Sequence, residues 1–124
     1  MRQYLKRRQR AFLFAFRGLR FFFGGDQHAR IHLTLALIAI LAAWFLKVDN
    51  WEWVAILLCI GGVISMEAMN AALETAMDAL HPEHREGIGR AKDIAAGAVL
   101  WASLISLLIG GLIFIPKILK LLQS

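Results

Sequence analysis

Long apolar runs separated by short polar breaks dominate this 124-residue chain. Residues 31–47, "IHLTLALIAILAAWFLK", predict a first membrane-spanning helix, short against the roughly 20 residues that cross about 30 Å of hydrocarbon. "VDNWEW" reads as a tight polar turn with Trp51 and Trp53 as interfacial anchors. A second helix is expected over 51–80, long enough to cross and then project beyond the bilayer. "HPEHREGIGRAK" is a polar connection in which Pro82 suits a helix start. The third helix is expected over 86–115, its apolar span starting near residue 92, with Pro116 ending or kinking it. Residues 1–23 carry a different pattern. At helical spacing Phe12, Ala15, Phe16, Leu19, Phe22 and Phe23 share one face, and Lys6, Arg10, Arg17 and Arg20 share the other. That is the pattern of a helix lying in the membrane interface. "GGD" at 24–26 is expected to break it. The fold class expected is therefore an all-α membrane protein, one domain of three transmembrane helices plus an N-terminal amphipathic surface helix.

Composition agrees and adds an orientation. The hydrophobic fraction of 59% and mean hydropathy of +0.60 exceed the usual range of soluble domains. The net charge of +5 could in principle serve nucleic acid, but these runs leave little water-facing surface for it. The basic residues are uneven. Arg2, Lys6, Arg7, Arg8, Arg10, Arg17, Arg20 and Arg30 precede the first span, and Arg85, Arg90 and Lys92 lie in or near the 79–92 connection. Only Lys47, Lys117 and Lys120 remain for the opposite side. The bias predicts a multi-pass protein with a cytoplasmic N-terminus and its C-terminus on the opposite side. No cleavable signal peptide is apparent. The single cysteine, Cys59, sits in an apolar run and reads as a packing residue. "IGG" at 60–62 and 109–111 lacks a P-loop lysine and reads as close helix packing. The four histidines fit no zinc spacing and read as interfacial or nucleotide-adjacent.

One stretch does not belong in lipid. Within "EAMNAALETAMD", Glu67, Asn70, Glu74 and Asp78 are spaced +3, +4, +4 and fall on one narrow helical face. An ionised carboxylate at membrane depth costs at least about 2.5–3.5 kcal/mol on insertion scales, so the stripe needs partners. By topology Lys92 and Asp93 are nearest, and Asp26 lies at the same interface. A polar seam neutralised by Lys92 would account for one acid, but it leaves the surplus negative charge repelling itself. A hard divalent cation such as Mg²⁺ resolves the surplus, because it accepts carboxylates together with phosphate oxygens. Acids plus a lysine at a lipid surface facing the cytoplasm point to phosphoryl transfer to a lipid. An ion or proton pathway is the other reading that intramembrane acids support.

"EAMNAALETAMD" resembles the pattern E-x-x-N-[ST]-A-[IL]-E-x-x-x-D of the small bacterial integral-membrane diacylglycerol kinase and undecaprenol kinase family. "GRAKDIAAGAVL" matches that family's A-K-D-x-[AG]-[AS]-A-V-L block, at a spacing that fits without gaps. "FRGLRFFFGGDQHARIH" is similar to its surface helix and turn. "ARIHL" and "KDIAAGAVL" resemble the undecaprenol kinase branch more than the diacylglycerol branch. The resemblance implies a homotrimer with sites shared between subunits, Mg-ATP as donor and a membrane lipid alcohol, undecaprenol or diacylglycerol, as acceptor. It implies Glu67 as general base on the lipid hydroxyl and Glu74 as a metal ligand. Asn70 and Asp78 become site-organising residues, Lys92 the phosphate-binding lysine and Asp93 its supporting acid. Glu86 and His84 would border the nucleotide, and Arg17 is a further candidate contact to it.

Two positions depart from the family pattern. Asp26 stands where a metal-binding Glu is usual, one methylene shorter, so the turn must move closer or a water must bridge; Gly24 and Gly25 would permit the first. Ala71 stands where Ser or Thr is usual. The chemistry agrees with the resemblance. A carboxylate can accept the proton of an attacking alcohol, and Lys92 with Mg²⁺ would offset charge on the transferring phosphoryl group. The lipid tail can remain in the bilayer.

Overall fold

A computed structural model describes residues 1–80 and 85–123, with Arg2 described by its backbone alone. It contains four helices in chain order: α1 (Arg2–Gly25), α2 (Gln27–Phe45), α3 (Asn50–Leu80) and α4 (Glu86–Leu122). The last three are long and apolar enough to cross a membrane. At about 1.5 Å per residue, the 19 residues of α2 just cover the hydrocarbon thickness. The 31 residues of α3 and the 37 of α4 exceed it by several turns.

The helices meet where side chains are small. On α2 the buried residues are Ala29, Ala36 and Ala43, two turns apart on one stripe, and on α3 Ile56 and Val63 repeat at the same interval. Alanines on one helix let a second backbone approach closely, the usual device where lipid removes any hydrophobic drive to pair helices. α3 lies against both α2 and α4, and its contact with α4 is the more extensive. The core gathers at the end of the bundle formed by the α2–α3 turn. There Ala43, Val48 and Ile56 are buried, with Trp53, Ile60, Ile113 and Phe114 packed around them. The other faces remain apolar and exposed, among them Leu37, Leu41, Leu57, Leu58, Leu107 and Leu112. That surface suits lipid or further helices, not water.

Both polar turns are built from specific caps. Leu46 ends α2, Lys47 follows at φ 51, and the Lys47 and Val48 amides donate to the carbonyls of Trp44 (3.3 Å) and Ala43 (3.1 Å). This is a Schellman motif with lysine in the left-handed position usually held by glycine, and its apolar clasp is Val48 against Ala43. Asp49 and Glu52 then form a capping box at the start of α3. Asp49 Oδ1 accepts from the Trp51 and Glu52 amides at 2.9 Å each, and Glu52 Oε2 accepts from the Asp49 amide at 2.7 Å. The same Glu52 oxygen receives Lys117 Nζ at 2.8 Å, tying α4 to this end of α3.

Three expectations change. The glycines do not break α1: Gly24 and Gly25 are helical, no glycine among the described residues has positive φ, and the chain turns at the single extended residue Asp26. Arg30 helps to hold that turn by donating from Nη2 to the Gly24 carbonyl at 2.7 Å. α2 therefore begins at Gln27, four residues before the apolar run. Nor does α4 stop at 115. It passes through Pro116, whose missing N–H and ring clash disturb one turn, and continues to Leu122 with Lys117 anchored on Glu52. The "IGG" glycines do not mediate helix packing within the chain. A Cβ at Gly61 or Gly62 would meet nothing within 4 Å, and at Gly110 and Gly111 only side chains one turn along α4. The expected helix start at Pro82 lies outside the described residues.

Candidate active site

The Glu67–Asp78 stripe occupies the end of α3 away from the Glu52 turn. Exposure rises along it: Glu67 is 4% exposed, Asn70 is half-buried, and Glu74 and Asp78 are exposed. Glu67 is the one buried charged side chain among the described residues. The stripe thus runs from a buried position to an exposed one, over about 16 Å at 1.5 Å per residue.

The structure divides the expected partners. Lys92, at the start of α4, is paired with Asp78. Asp78 lies three turns beyond Glu67, so Lys92 does not neutralise the buried acid, as proximity in topology had suggested. The partner of Glu67 is His32 on α2, with Nε2 3.9 Å from Oε2 and side chains 19% and 6% exposed. The two form an ion pair whenever the imidazole carries its second proton. Sequence reasoning placed His32 at the interface and missed this role. Its signal was its position on the alanine stripe, three residues after Ala29 and four before Ala36, which turns it toward α3.

His32 and Val63 also line an open cavity of about 480 Å³ between α2, α3 and α4, walled by Leu35, Ala36, Ala39, Ile60 and Ile64 and reaching Ser103 and Ser106. Ser106 donates to the Ala102 carbonyl of its own helix at 2.8 Å. The cavity is an apolar trough with the His32–Glu67 pair beside one end of it.

The remaining candidates are not drawn together within one chain. Glu74 and Asp93 are exposed and make no ion pair among the described residues. Glu86 is exposed and lies 3.8 Å from Arg90 one turn along α4. Arg17 is exposed with its guanidinium 5.7 Å from the centre of the Phe14 ring. His84 lies outside the described residues. Asp26 is half-buried and caps α2, its Oδ1 accepting from the amides of His28 (2.7 Å) and Ala29 (3.2 Å). That leaves Oδ2 outside the cap. Among the described residues no three His, Cys, Asp or Glu side chains converge on a metal position. The donor chemistry nevertheless suits Mg²⁺: Glu74 offers an exposed carboxylate with no cationic partner among the described residues, and Asp26 offers one oxygen.

The profile of prokaryotic diacylglycerol kinases matches residues 13–114, from within α1 to just before Pro116, and spans every candidate site residue. The chain belongs to the prokaryotic diacylglycerol kinase family. Its similarity to individual family members is extensive. It is 34% identical to the undecaprenol kinase of Bacillus subtilis over 117 residues, covering 94% of this chain and 95% of that protein. It is 31% identical to a diacylglycerol kinase of a Synechocystis species, over 90% of this chain and 65% of that protein. It is 30% identical to the diacylglycerol kinase of Escherichia coli, over 77% of this chain and 78% of that protein. Membership in this family, with three helices able to cross a bilayer, makes the chain a membrane-bound lipid kinase.

Proposed function

We propose that the protein transfers the γ-phosphate of Mg-ATP to the hydroxyl of a membrane lipid alcohol at the cytoplasmic face of the inner membrane. The observation that carries this reading is Glu67: a buried carboxylate in a helix able to cross a membrane, next to His32 of an apolar trough and on the same stripe as exposed acids, one of which pairs with Lys92 of α4. A lipid alcohol presents that same sequence of chemistries, an apolar chain, then a hydroxyl, then water. In this reading the chain segment next to the hydroxyl lies along the trough wall formed by Leu35, Ala36 and Ile64. Glu67 accepts the hydroxyl proton as the oxygen attacks phosphorus. Asn70, one turn further out, orients the acceptor. Lys92 donates to the phosphate oxygens, with Asp78 holding its ammonium group in place and the neighbouring Asp93 as a supporting acid in the completed site. Glu86, His84 and Arg17 border the nucleotide. Glu74 and Asp26 hold Mg²⁺, which supplies charge neutralisation on the phosphates.

That no three acids or histidines among the described residues converge on a metal position supports a site completed by a neighbouring copy, and hence the homotrimer. The outward-facing Gly61 and Gly62 offer a close-approach surface for it. α1 is exposed along nearly its whole length and carries seven of the cations, which suits an anionic leaflet and a cytoplasmic N-terminus. The ion-pathway reading has less support, because a relay needs several buried ionisable groups and Glu67 stands alone in that class among the described residues.

The test is ATP consumption by purified protein in vesicles with and without undecaprenol or diacylglycerol. Consumption that depends on an added lipid alcohol, requires Mg²⁺ and disappears in Glu67→Gln supports the reading. Consumption indifferent to the alcohol sinks it.

A further inference from the structure

We propose that His32 is the positioning residue of Glu67: it fixes the carboxylate at the trough end, where the acceptor hydroxyl would meet it. The inference rests on the lipid kinase reading, in which Glu67 accepts the proton. A buried carboxylate is costly without a polar or cationic neighbour. The cations nearest in sequence or topology are committed elsewhere. Lys92 is held by Asp78, and Arg30 donates to the Gly24 carbonyl. Asn70, the next polar side chain on the stripe, brings no charge. Among the described residues, His32 is the group that reaches Glu67, at 3.9 Å. That separation is longer than a hydrogen bond, so His32 leaves the carboxylate lone pairs for the acceptor hydroxyl.

Placement supports the same role. His32 borders the trough as well as the carboxylate, so the imidazole stands where the hydroxyl end of an acceptor meets its hydrocarbon. α2 presents it from the alanine stripe that packs on α3, so its position relative to Glu67 is set by a close helix contact. Its side chain keeps 19% of its surface exposed. Glu67, at 6%, has far less access.

The experiment uses the full-length protein in mixed micelles, with kcat, the KM for ATP and the thermal unfolding midpoint measured for four proteins. They are wild type, His32→Leu, Glu67→Gln and the double variant. His32→Gln, which keeps the volume and a donor, is added in case His32→Leu folds poorly. The expectation is a kcat loss of about thirtyfold or more for His32→Leu, a smaller loss for His32→Gln, and a KM for ATP within about twofold of wild type in both. The unfolding midpoints should be non-additive: His32→Leu shifts the midpoint in the wild-type background and scarcely at all in the Glu67→Gln background, because the charge it faced is gone. A space-filling role predicts the same shift in both backgrounds. Equal shifts, or a kcat within about threefold of wild type for His32→Gln and any folded His32→Leu, overturn the proposal. Full turnover in Glu67→Gln would instead remove the catalytic reading of Glu67, whatever the coupling between the two residues.

Discussion

Asp26 caps α2 and, in the proposed site, also holds the metal; substitution there can separate the two roles. Its Oδ1 caps α2 through two amides at 2.7 and 3.2 Å, while in the proposed site its second oxygen reaches the metal. Asp26→Asn keeps a capping oxygen, since Asn and Asp rank together at this position, and removes the charge. Asp26→Ala removes both. The cap is half-buried at the turn that joins α1 to α2, so its loss should cost about 1 kcal/mol, the typical value for such caps. Asp26→Asn should cost only a few tenths of that. Activity should sort differently. Both variants should require markedly more Mg²⁺ and lose at least about tenfold in turnover at limiting Mg²⁺, or roughly 1.4 kcal/mol of transition-state stabilisation. Asp26→Glu restores the reach usual in the family but caps poorly. It should therefore match or exceed wild-type activity while losing about as much stability as Asp26→Ala. Equilibrium unfolding in mixed micelles and Mg²⁺ titration of the kinase reaction read the two effects independently. If Asp26→Asn keeps the wild-type Mg²⁺ dependence, Asp26 is a helix cap and nothing more. If Asp26→Asn and Asp26→Ala are equally destabilised, the capping account is wrong.

Other expectations follow from the turns and the stripe. Lys47→Gly should stabilise the fold by about 1 kcal/mol by relieving a lysine at φ 51; no gain in the unfolding free energy would argue against strain there. Glu52→Ala should destabilise more than Lys117→Ala, because Glu52 serves both the capping box and the ion pair. The expected difference is about 1 kcal/mol, and equal losses would show that the capping box contributes little. Glu74→Gln should fold normally yet fall below about a tenth of wild-type turnover; higher retained activity counts against its role at the metal.

Much of this architecture was legible in the chain because lipid imposes simple rules. A span must be long, apolar and helical, so three runs of apolar residues announce α2, α3 and α4 with little ambiguity. The acid stripe was equally plain, since +3 and +4 spacing places side chains on one face whatever surrounds the helix. Boundaries were harder. A "GGD" triplet looks like a glycine break, but Asp26 alone turns the chain by capping α2, and Arg30 closes the end of α1 from six residues away. Pro116 looks like a stop, yet a long helix tolerates one disturbed turn when Lys117 is anchored to Glu52. Pairings between helices were hardest, because they depend on rotation and axial offset. Those set Lys92 against Asp78 and His32 against Glu67, and no local spacing encodes either pair.

The central claim is phosphoryl transfer to a lipid, and the most direct measurement follows the phosphate itself. Purified protein in vesicles is given γ-labelled ATP, Mg²⁺ and undecaprenol or diacylglycerol, and the extracted lipid is analysed for label. The same vesicles report ion flux in the absence of ATP. The account predicts labelled lipid phosphate, abolished in Glu67→Gln, and no flux. Ion flux with no label in any lipid would contradict it.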